Sequence, residues 1–217
     1  MNHNMTFFGE TVCFIGAHPD DIELGCGALI ADIVDQTNVV CVTLSDNQEN
    51  PDLLNLVNEH AQSMAILGVK PENAILHDFT TRRFQAARQE ILEVMIGLKH
   101  QYHPEVVFVH TAQDIHQDHK TITEEALRAF RGTTVLGFDV LRSSYGFFPH
   151  FLVEVSEEGV RKKIQALKAY KTYAEKYYFD ENIIHATAIR HGALAERPYA
   201  EGFDILRIVG QFGDKVY

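Results

Sequence analysis

Short apolar runs alternate with longer amphipathic segments through the first two thirds of the chain. Each run is continuous rather than alternating, which is typical of strands that are covered on both faces. Five such strands are predicted, at residues 12–16, 39–44, 74–76, 106–109 and 133–138. Apolar residues at helical spacing predict helices at residues 22–36, 59–67, 84–100 and 119–130. The alternation favours an α/β fold, Rossmann-like, with a mostly parallel sheet and helices on both faces.

The last third of the chain departs from this alternation. Residues 151–155 predict a strand, and Ser156 with two glutamates after it predicts the start of a helix that runs to about residue 173. A further helix at 182–191 and a final strand at 204–208 complete a C-terminal strand and helix extension. Because no internal repeat, low-complexity stretch or linker interrupts the sequence, we expect a single domain over residues 1–217.

The first cluster of chemically active residues follows the first predicted strand. His18, Asp20 and Asp21 stand within four residues, where the strand gives way to a helix. Ligands bind at such strand ends in parallel sheets, and one imidazole with two carboxylates suits a metal ion. Two aspartates at a helix start are explained about equally well by helix capping. Gly25 and Gly27 do not complete the GxGxxG pattern, so a dinucleotide site is not expected.

The second cluster follows the fourth predicted strand. Three histidines and two aspartates crowd into ten residues there: His110, Asp114, His116, Asp118 and His119. An aspartate that caps the next helix would explain Asp118 alone, but not the two histidines beside it. If the first and fourth strands are neighbours, the two clusters converge, and together they predict a metal site rather than two ordinary polar loops.

Composition limits the class of partner. The 30 acidic and 19 basic residues leave a net charge of −11, which argues against nucleic acid or an anionic membrane surface as the main partner. Cys13, Cys26 and Cys41 form no CxxC pair and lie in or near apolar runs, so we expect buried thiols rather than disulfides. With no signal peptide and no membrane-spanning apolar run, we expect a cytoplasmic protein without a membrane partner.

The two clusters resemble the signatures of the PIG-L/LmbE-like family of zinc-dependent N-deacetylases. That family carries an AHPDD segment after its first strand and an HxDH segment after a later one. Residues 17–21, followed by Leu24 and Gly25, match the first segment, and residues 116–119 match the second. Weaker similarities lie at residues 65–68 and 199–203. The resemblance covers most of the chain and implies an LmbE-like form of the fold.

The resemblance also implies a role for each residue of the site. Three residues would bind the zinc ion: His18, Asp21 and His119. Asp20 would be the general base for the hydrolytic water. His116 would stabilise the oxyanion or protonate the leaving amine, held charged and oriented by Asp118. Three protein ligands leave one coordination position open, as expected of a catalytic site, and mixed nitrogen and oxygen ligation also suits other divalent ions such as Fe²⁺.

Contacts with the substrate are less well defined. The family's arginine shortly before Glu59 is absent, because residues 55–58 are Asn, Leu, Val and Asn, so that part of the family pattern is not carried over. Candidate contacts lie in the polar loop 45–55 and at Arg82, Arg83 and residues 142–145. Arg82 and Arg83 could bind an anionic group, but a solvated surface pair is the simpler hypothesis. We expect one aromatic group to pack between C-terminal helices rather than to bind sugar: Tyr170, Tyr173, Tyr177, Tyr178 and Phe179.

We therefore expect a hydrolase that acts on a small molecule and releases acetate from an N-acetylated amino sugar, such as N-acetylglucosamine, or from its conjugate. The reaction class rests on the metal-plus-base pattern and on the resemblance, whereas the sugar rests on the resemblance alone. The sequence does not separate this hypothesis from a metal-dependent amidase or esterase for a non-sugar substrate. A metal-binding protein without turnover is the third hypothesis, and Asp20 argues against it because metal binding alone does not need that carboxylate. The sequence leaves open whether the protein forms a homo-oligomer.

Overall fold

The apolar runs form the strands of one mixed sheet. The computed structural model describes residues 7–48 and 50–210. Seven strands lie in these residues: β1 (Thr11–Gly16), β2 (Asn38–Thr43), β3 (Ala74–Leu76), β4 (Val106–His110), β5 (Thr134–Phe138), β6 (Phe151–Glu154) and β7 (Ala200–Arg207). Six α-helices lie between them: α1 (Asp21–Ile33), α2 (Leu56–Leu67), α3 (Arg88–Tyr102), α4 (Gln117–Ala129), α5 (Glu157–Ala169) and α6 (Glu181–Leu194).

The strand order is β3-β2-β1-β4-β5-β7-β6. Strands β1 to β5 pair in parallel, whereas β7 pairs antiparallel with both β5 and β6. The predicted α/β fold, with a mostly parallel sheet and a C-terminal strand and helix extension, is confirmed. The chain runs outward from β1 to β3 and then returns to the other side of β1 to place β4. This reversal leaves a crevice at the carboxyl ends of β1 and β4, where α/β sheets bind ligands.

Hydrophobic clusters cover the sheet on both faces. Val12 and Phe14 of β1 join a cluster with α1 and α5, whereas Cys13 and Ile15 join a second cluster with α3 and α4. Phe14 stacks on Phe108 of β4, with ring centroids 4.7 Å apart. Burial on both faces explains why the strands are continuous apolar runs without polar alternation. The three cysteines are free and buried, as expected.

Two helix boundaries differ from the prediction by four residues, and in each case a buried aromatic residue lies where the helix was predicted to continue. Helix α3 begins at residue 88 rather than 84. Phe84 is fully buried in the preceding segment, and its backbone N–H donates to Asp118 Oδ1 over 3.3 Å. Helix α5 ends at Ala169 rather than near residue 173, because Tyr170 turns its ring into the core. Residues 171–173 and 177–179 then form short 3₁₀ turns.

No helix within residues 7–48 and 50–210 has both the length and the apolar character needed to cross a membrane.

Helix α1 contacts the sheet closely at Gly25. A Cβ atom built at this position would lie 2.3 Å from Cδ2 of Phe138, which is fully buried on β5. Only a residue without a side chain therefore allows α1 to lie this close to β5. Gly97 on α3 provides a contrast, because it is exposed and a Cβ there would meet nothing within 4 Å.

We predict that Gly25→Ala lowers the free energy of unfolding by about 1–3 kcal/mol, because the added methyl group overlaps the Phe138 ring in a packed core. Gly97→Ala is the matched control. It adds the same methyl group at an exposed helical position and should leave stability unchanged or raise it by about 0.5–1 kcal/mol. Urea denaturation followed by circular dichroism measures both variants. Equal stability of the two would contradict the close contact between α1 and β5.

Candidate active site

The loops that leave β1 and β4 lie side by side, because these two strands are neighbours in the sheet. The ring centroid of His18 is 5.1 Å from that of His116 and 5.4 Å from that of His119. Both loops line one cavity of about 440 Å³. The structure therefore brings the two sequence clusters together.

Asp20 stands at the N-cap position of α1, but its side chain does not cap the helix. Its backbone is left-handed, with φ of 106°, a region that costs a non-glycine residue about 1–3 kcal/mol. The carboxylate makes no capping hydrogen bond and instead lines the cavity. Helix capping, which explained this residue as well as a metal site did, therefore does not account for Asp20.

Three side-chain atoms converge at the centre of the cluster. His18 Nδ1 lies 3.4 Å from Asp21 Oδ2, His119 Nε2 lies 3.3 Å from the same oxygen, and the two nitrogens are 3.4 Å apart. A tetrahedral ion with bonds of about 2.0–2.1 Å separates its ligands by about 3.3–3.4 Å. The arrangement therefore fits a zinc-like ion, and these residues are the three that the family resemblance assigns to the metal.

A second layer of carboxylates orients both imidazoles. Asp118 Oδ2 lies 3.1 Å from His18 Nε2, and Asp114 Oδ2 lies 2.8 Å from His119 Nδ1. An imidazole that donates one ring N–H to a carboxylate presents the lone pair of its other nitrogen, which is how metal-binding histidines are held. The lone pairs of His18 Nδ1 and His119 Nε2 are thus directed toward Asp21, the third residue of the group.

The contacts of Asp118 differ from those expected. Its carboxylate contacts His18, not His116, and also accepts the backbone N–H of Arg82 over 2.6 Å. What Asp118 gives His116 is its backbone N–H, which donates to His116 Nδ1 over 3.2 Å. The sequence could not show this, because His116 is itself the N-cap of α4 and uses its ring nitrogen as the capping acceptor.

His116 also differs from the expectation in its charge. Burial lowers its pKa to about 4, and the neighbouring His119 and His18 add to this, against the smaller opposing effect of Asp118. Because Nδ1 accepts the capping hydrogen bond, the neutral ring carries its proton on Nε2. The ring lines the cavity, so His116 offers a neutral N–H donor rather than an imidazolium.

The charges of the cluster favour a cation at its centre. Burial alone would raise the pKa of Asp21, but His119 and His110 lower it well below its usual value. Burial alone would lower the pKa of His119, yet Asp21 and Asp114 raise it to about 10. A site that keeps its carboxylate ionised and strengthens the basicity of an imidazole has the negative potential that a divalent cation needs.

His110 packs against the ring of His119. The sequence places His110 in the second cluster but gives it no role of its own. It is fully buried at the end of β4, and its ring stacks on His119 with centroids 3.7 Å apart and planes at 11°. Its Nε2 accepts the backbone N–H of Ala17 over 3.1 Å. His110 could also be grouped with Asp21 and His119 as a metal-binding set, but that hydrogen bond already occupies the nitrogen that faces them.

The walls of the cavity combine hydrogen-bonding groups with cations. Polar atoms come from Asn47, Thr81 and Ser143, and positive charge comes from Arg82, Arg142 and Lys176. Arg82 lines the cavity, whereas Arg83 is not among the lining residues, so the two predicted arginines do not act as a pair. The polar loop after β2 does reach the site, as the sequence suggested.

The aromatic group near the C-terminal helices divides between two roles. Tyr170 and Phe179 pack in a buried cluster with Leu167 and Ile184, as predicted. Tyr173 and Tyr178 pack against the same cluster, as predicted, and in addition line the cavity. Tyr177 is exposed, so the prediction is wrong for that residue. Tyr173 and Tyr178 reach the cavity because α5 ends at residue 169 and the chain turns past the cavity. Helical periodicity alone does not show that turn.

Comparison with known proteins places the chain in a family. A family model described as PIG-L, GlcNAc-PI de-N-acetylase, matches residues 13–130, a segment that contains both clusters. Among curated proteins, an uncharacterized deacetylase, YaiS, of Escherichia coli (strain K12) is 28% identical over 166 residues, which are 73% of this chain and 89% of the relative.

Solved structures share the fold at low identity. The N,N'-diacetylchitobiose deacetylase of Pyrococcus horikoshii has a TM-score of 0.74 at 17% identity, over 91% of this chain and 84% of that chain. GalB, the 4-carboxy-2-hydroxymuconate hydratase of Pseudomonas putida KT2440, has a TM-score of 0.76 at 15% identity, over 96% of this chain and 100% of that chain. Such likeness shows the fold alone, and since it includes a deacetylase and a hydratase, the reaction must be argued from the site.

We predict that Asp114→Asn weakens binding of Zn²⁺ by about 10–100-fold, because His119 loses the carboxylate that orients it. Competition with a chromophoric chelator measures the affinity. Asp35→Asn, which removes an exposed carboxylate just beyond α1, is the control and should bind Zn²⁺ like the unmodified protein. Unchanged affinity in Asp114→Asn would contradict the assignment of His119 as a ligand held by Asp114.

Proposed function

This chain belongs to the PIG-L family of deacetylases, and from that premise we propose that it is a metal-dependent N-deacetylase that releases acetate from an N-acetylated amino sugar or its conjugate. One observation carries the proposal: the carboxylate of Asp20, which does not cap helix α1, lies in the cavity beside three donor atoms at the spacing of metal ligands. Amide hydrolysis needs an activated water, a polarised carbonyl and a protonated leaving amine. The site has a group suited to each task.

His18, Asp21 and His119 would hold the metal, which we propose to be zinc or another divalent ion such as Fe²⁺. When bound, the ion would supply Lewis acidity, which lowers the pKa of water and polarises an acyl carbonyl. The spacing of the three donor atoms and the carboxylates behind both imidazoles support this choice of residues.

Asp20 is the proposed general base. Burial raises the pKa of its carboxylate well above the usual value, and the neighbouring Asp21 and Glu23 add to the effect. A carboxylate in these surroundings is more basic than one in water, so it accepts a proton from the attacking water more readily. Its left-handed backbone keeps the side chain in the cavity rather than on the end of α1.

His116 is the proposed hydrogen-bond donor to the oxyanion. The neutral ring lines the cavity, and because its Nδ1 accepts the backbone N–H of Asp118, its Nε2 carries the proton. There it would stabilise the oxyanion formed as water adds to the amide carbon. When the C–N bond breaks, the amine takes up the proton that water lost, and acetate leaves.

The cavity suits a sugar in size and in lining. Its volume of about 440 Å³ lies within the range of small-molecule sites, roughly 300–1,000 Å³. Asn47, Thr81 and Ser143 supply amide and hydroxyl groups, and Tyr173 and Tyr178 supply aromatic rings. The fold neighbour named as an N,N'-diacetylchitobiose deacetylase supports an amino-sugar substrate.

Two other hypotheses predict different behaviour of the same residues. An amidase or esterase for a non-sugar substrate would use the same metal ligands and base, and a panel of N-acetyl sugars, N-acetyl amino acids and acetyl esters separates it from the proposal. A metal-binding protein without turnover would release no acetate from any of them. Asp20 argues against a protein without turnover. Its carboxylate does not cap α1 and its backbone is strained, and metal binding alone requires neither feature.

We predict that Asp20→Asn retains bound zinc but lowers kcat by about 10²–10⁴-fold, the usual effect of losing a general base. Asparagine matches aspartate in size and tolerates a left-handed backbone. His119→Ala should lose both the metal and the activity. Acetate release from N-acetylglucosamine and elemental analysis of the purified proteins measure the two properties.

Asp35→Asn again serves as the control and should match the unmodified protein in metal content and rate. Full activity in Asp20→Asn would remove this residue from the mechanism. If the unmodified protein bound no metal and gained no activity on addition of zinc, the proposed site as a whole would be wrong.

A further inference from the structure

Besides the carboxylates of Asp20 and Asp21, the cavity wall carries three positive side chains, although the chain as a whole is acidic. The net charge of the sequence is −11, yet Arg82, Arg142 and Lys176 all line the cavity. Among the described residues, no carboxylate forms an ion pair with any of the three. Six other arginines and lysines do pair with carboxylates: Arg88, Arg128, Arg161, Lys163, Lys168 and Arg197. The positive charge of the cavity wall is therefore free to act on what enters the cavity.

Two of these cations are held by tyrosines that carry no charge. Arg142 Nη1 donates to the Tyr178 hydroxyl over 3.2 Å, and its guanidinium carbon lies 5.7 Å from the centre of that ring. Lys176 Nζ lies 6.0 Å from the centre of the Tyr173 ring. Burial raises the pKa of Tyr178 to about 12, so its hydroxyl stays protonated near neutral pH. The tyrosines restrict the positions of the cations without neutralising them.

This segment is also fixed from the other side of the cavity. Asn47, in the loop after β2, donates from its side-chain amide to the Tyr173 hydroxyl over 3.3 Å. Arg142 uses one N–H on Tyr178 and keeps its other donors, which suit the two oxygens of a carboxylate or phosphate. The arrangement of Arg142 and Lys176 is thus an anion receptor already in place beside the proposed reaction centre.

We propose that Arg142 and Lys176 form a subsite for an anionic group of the substrate, so that the amino sugar which the protein deacetylates carries a carboxylate or a phosphate. This inference rests on the proposed deacetylase function and adds a substrate class to it. Arg82, which lines the same cavity, adds to the local positive charge.

Arg142 has one competing role, which is to offset the negative charge of the reaction centre. The charges of Asp20 and Asp21 raise the pKa of Arg142, after the larger effect of its hydrogen bond to Tyr178. If offsetting this charge were its main task, loss of Arg142 would slow the chemical step for every substrate. If Arg142 binds an anion, its loss weakens only the binding of charged substrates. The two roles are therefore distinguished by how KM and kcat respond.

The test compares neutral and charged substrates with the full-length, zinc-loaded protein. The neutral probe is methyl N-acetylglucosaminide, the phosphate probes are N-acetylglucosamine 1-phosphate and 6-phosphate, and the carboxylate probe is N-acetylmuramic acid. We expect kcat/KM for at least one charged probe to exceed that for the neutral probe by about 10-fold or more, mainly through a lower KM. The probe with the higher kcat/KM, phosphate or carboxylate, identifies the anionic group that the subsite binds.

The variant Arg142→Gln/Lys176→Gln should remove the preference by raising KM for the charged probe about 10–100-fold, the usual effect of losing charged hydrogen bonds. The expected effect is on KM for the charged probe and not on its kcat. Lys70→Gln/Arg131→Gln, which removes two exposed positive charges outside the cavity, is the matched control and should keep the preference. Thermal unfolding checks that both double variants are folded.

Three results would overturn the inference. Equal kcat/KM for neutral and charged probes would leave the deacetylase proposal intact and remove the subsite. A fall in kcat of the same size for all probes in Arg142→Gln/Lys176→Gln would assign these cations to the reaction centre instead. No acetate from any probe would overturn the proposed function itself, and the inference with it.

Discussion

The site depends on one buried anion, the carboxylate of Asp21. A carboxylate that leaves water loses several kcal/mol of hydration and must be compensated by partners of good geometry. At 3% exposure, Asp21 accepts the backbone N–H of His18 over 2.8 Å and faces the nitrogens of two imidazoles. Because His18 follows β1 and His119 follows β4, this compensation requires that the two strands be neighbours with their ends level. The parallel register that places Phe14 opposite Phe108 provides that alignment.

Other buried carboxylates also need hydrogen-bond partners, and these partners come from loops that are distant in sequence. Asp114 is fixed by the Ser143 hydroxyl, from the loop after β5, over 2.8 Å. A second buried carboxylate, Glu23, holds the other side of the cavity, since it accepts the Ser63 hydroxyl over 2.7 Å and the Tyr170 hydroxyl over 2.5 Å. Tyr170 ends α5 by entering this network, and the chain after it passes the cavity with Tyr173. The part of the cavity wall that carries Tyr173 is thus placed by a buried polar network around Glu23 and Tyr170.

The fold could be predicted from the sequence where local pattern and burial agree. Strands covered on both faces are continuous apolar runs, so all five parallel strands were predicted with errors of at most one residue at either end. The sequence predicted that the two clusters meet only if the first and fourth strands are neighbours, because strand order depends on long-range packing. The partner of Asp118 was not predictable, since the His116 ring serves as the N-cap that an aspartate was expected to provide. The position of Tyr173 and Tyr178 on the cavity wall was not predictable either, because it depends on the buried ring of Tyr170 that ends α5.

Asp20 by itself does not select a reaction, which matters because a hydratase and a deacetylase share this fold. Amide hydrolysis and the addition of water to a double bond can each use a base that takes a proton from water, so a carboxylate in the cavity suits either reaction. They differ in the charge that develops after attack. Hydrolysis of an amide places it on an oxygen attached to the attacked carbon, which a nearby N–H can stabilise. His116 offers that N–H because its other nitrogen is occupied by the Asp118 backbone and its ring stays neutral in the buried cluster. The capping hydrogen bond at the start of α4 therefore has a second consequence, since it places the proton of His116 on Nε2, where it can stabilise the oxyanion of amide hydrolysis.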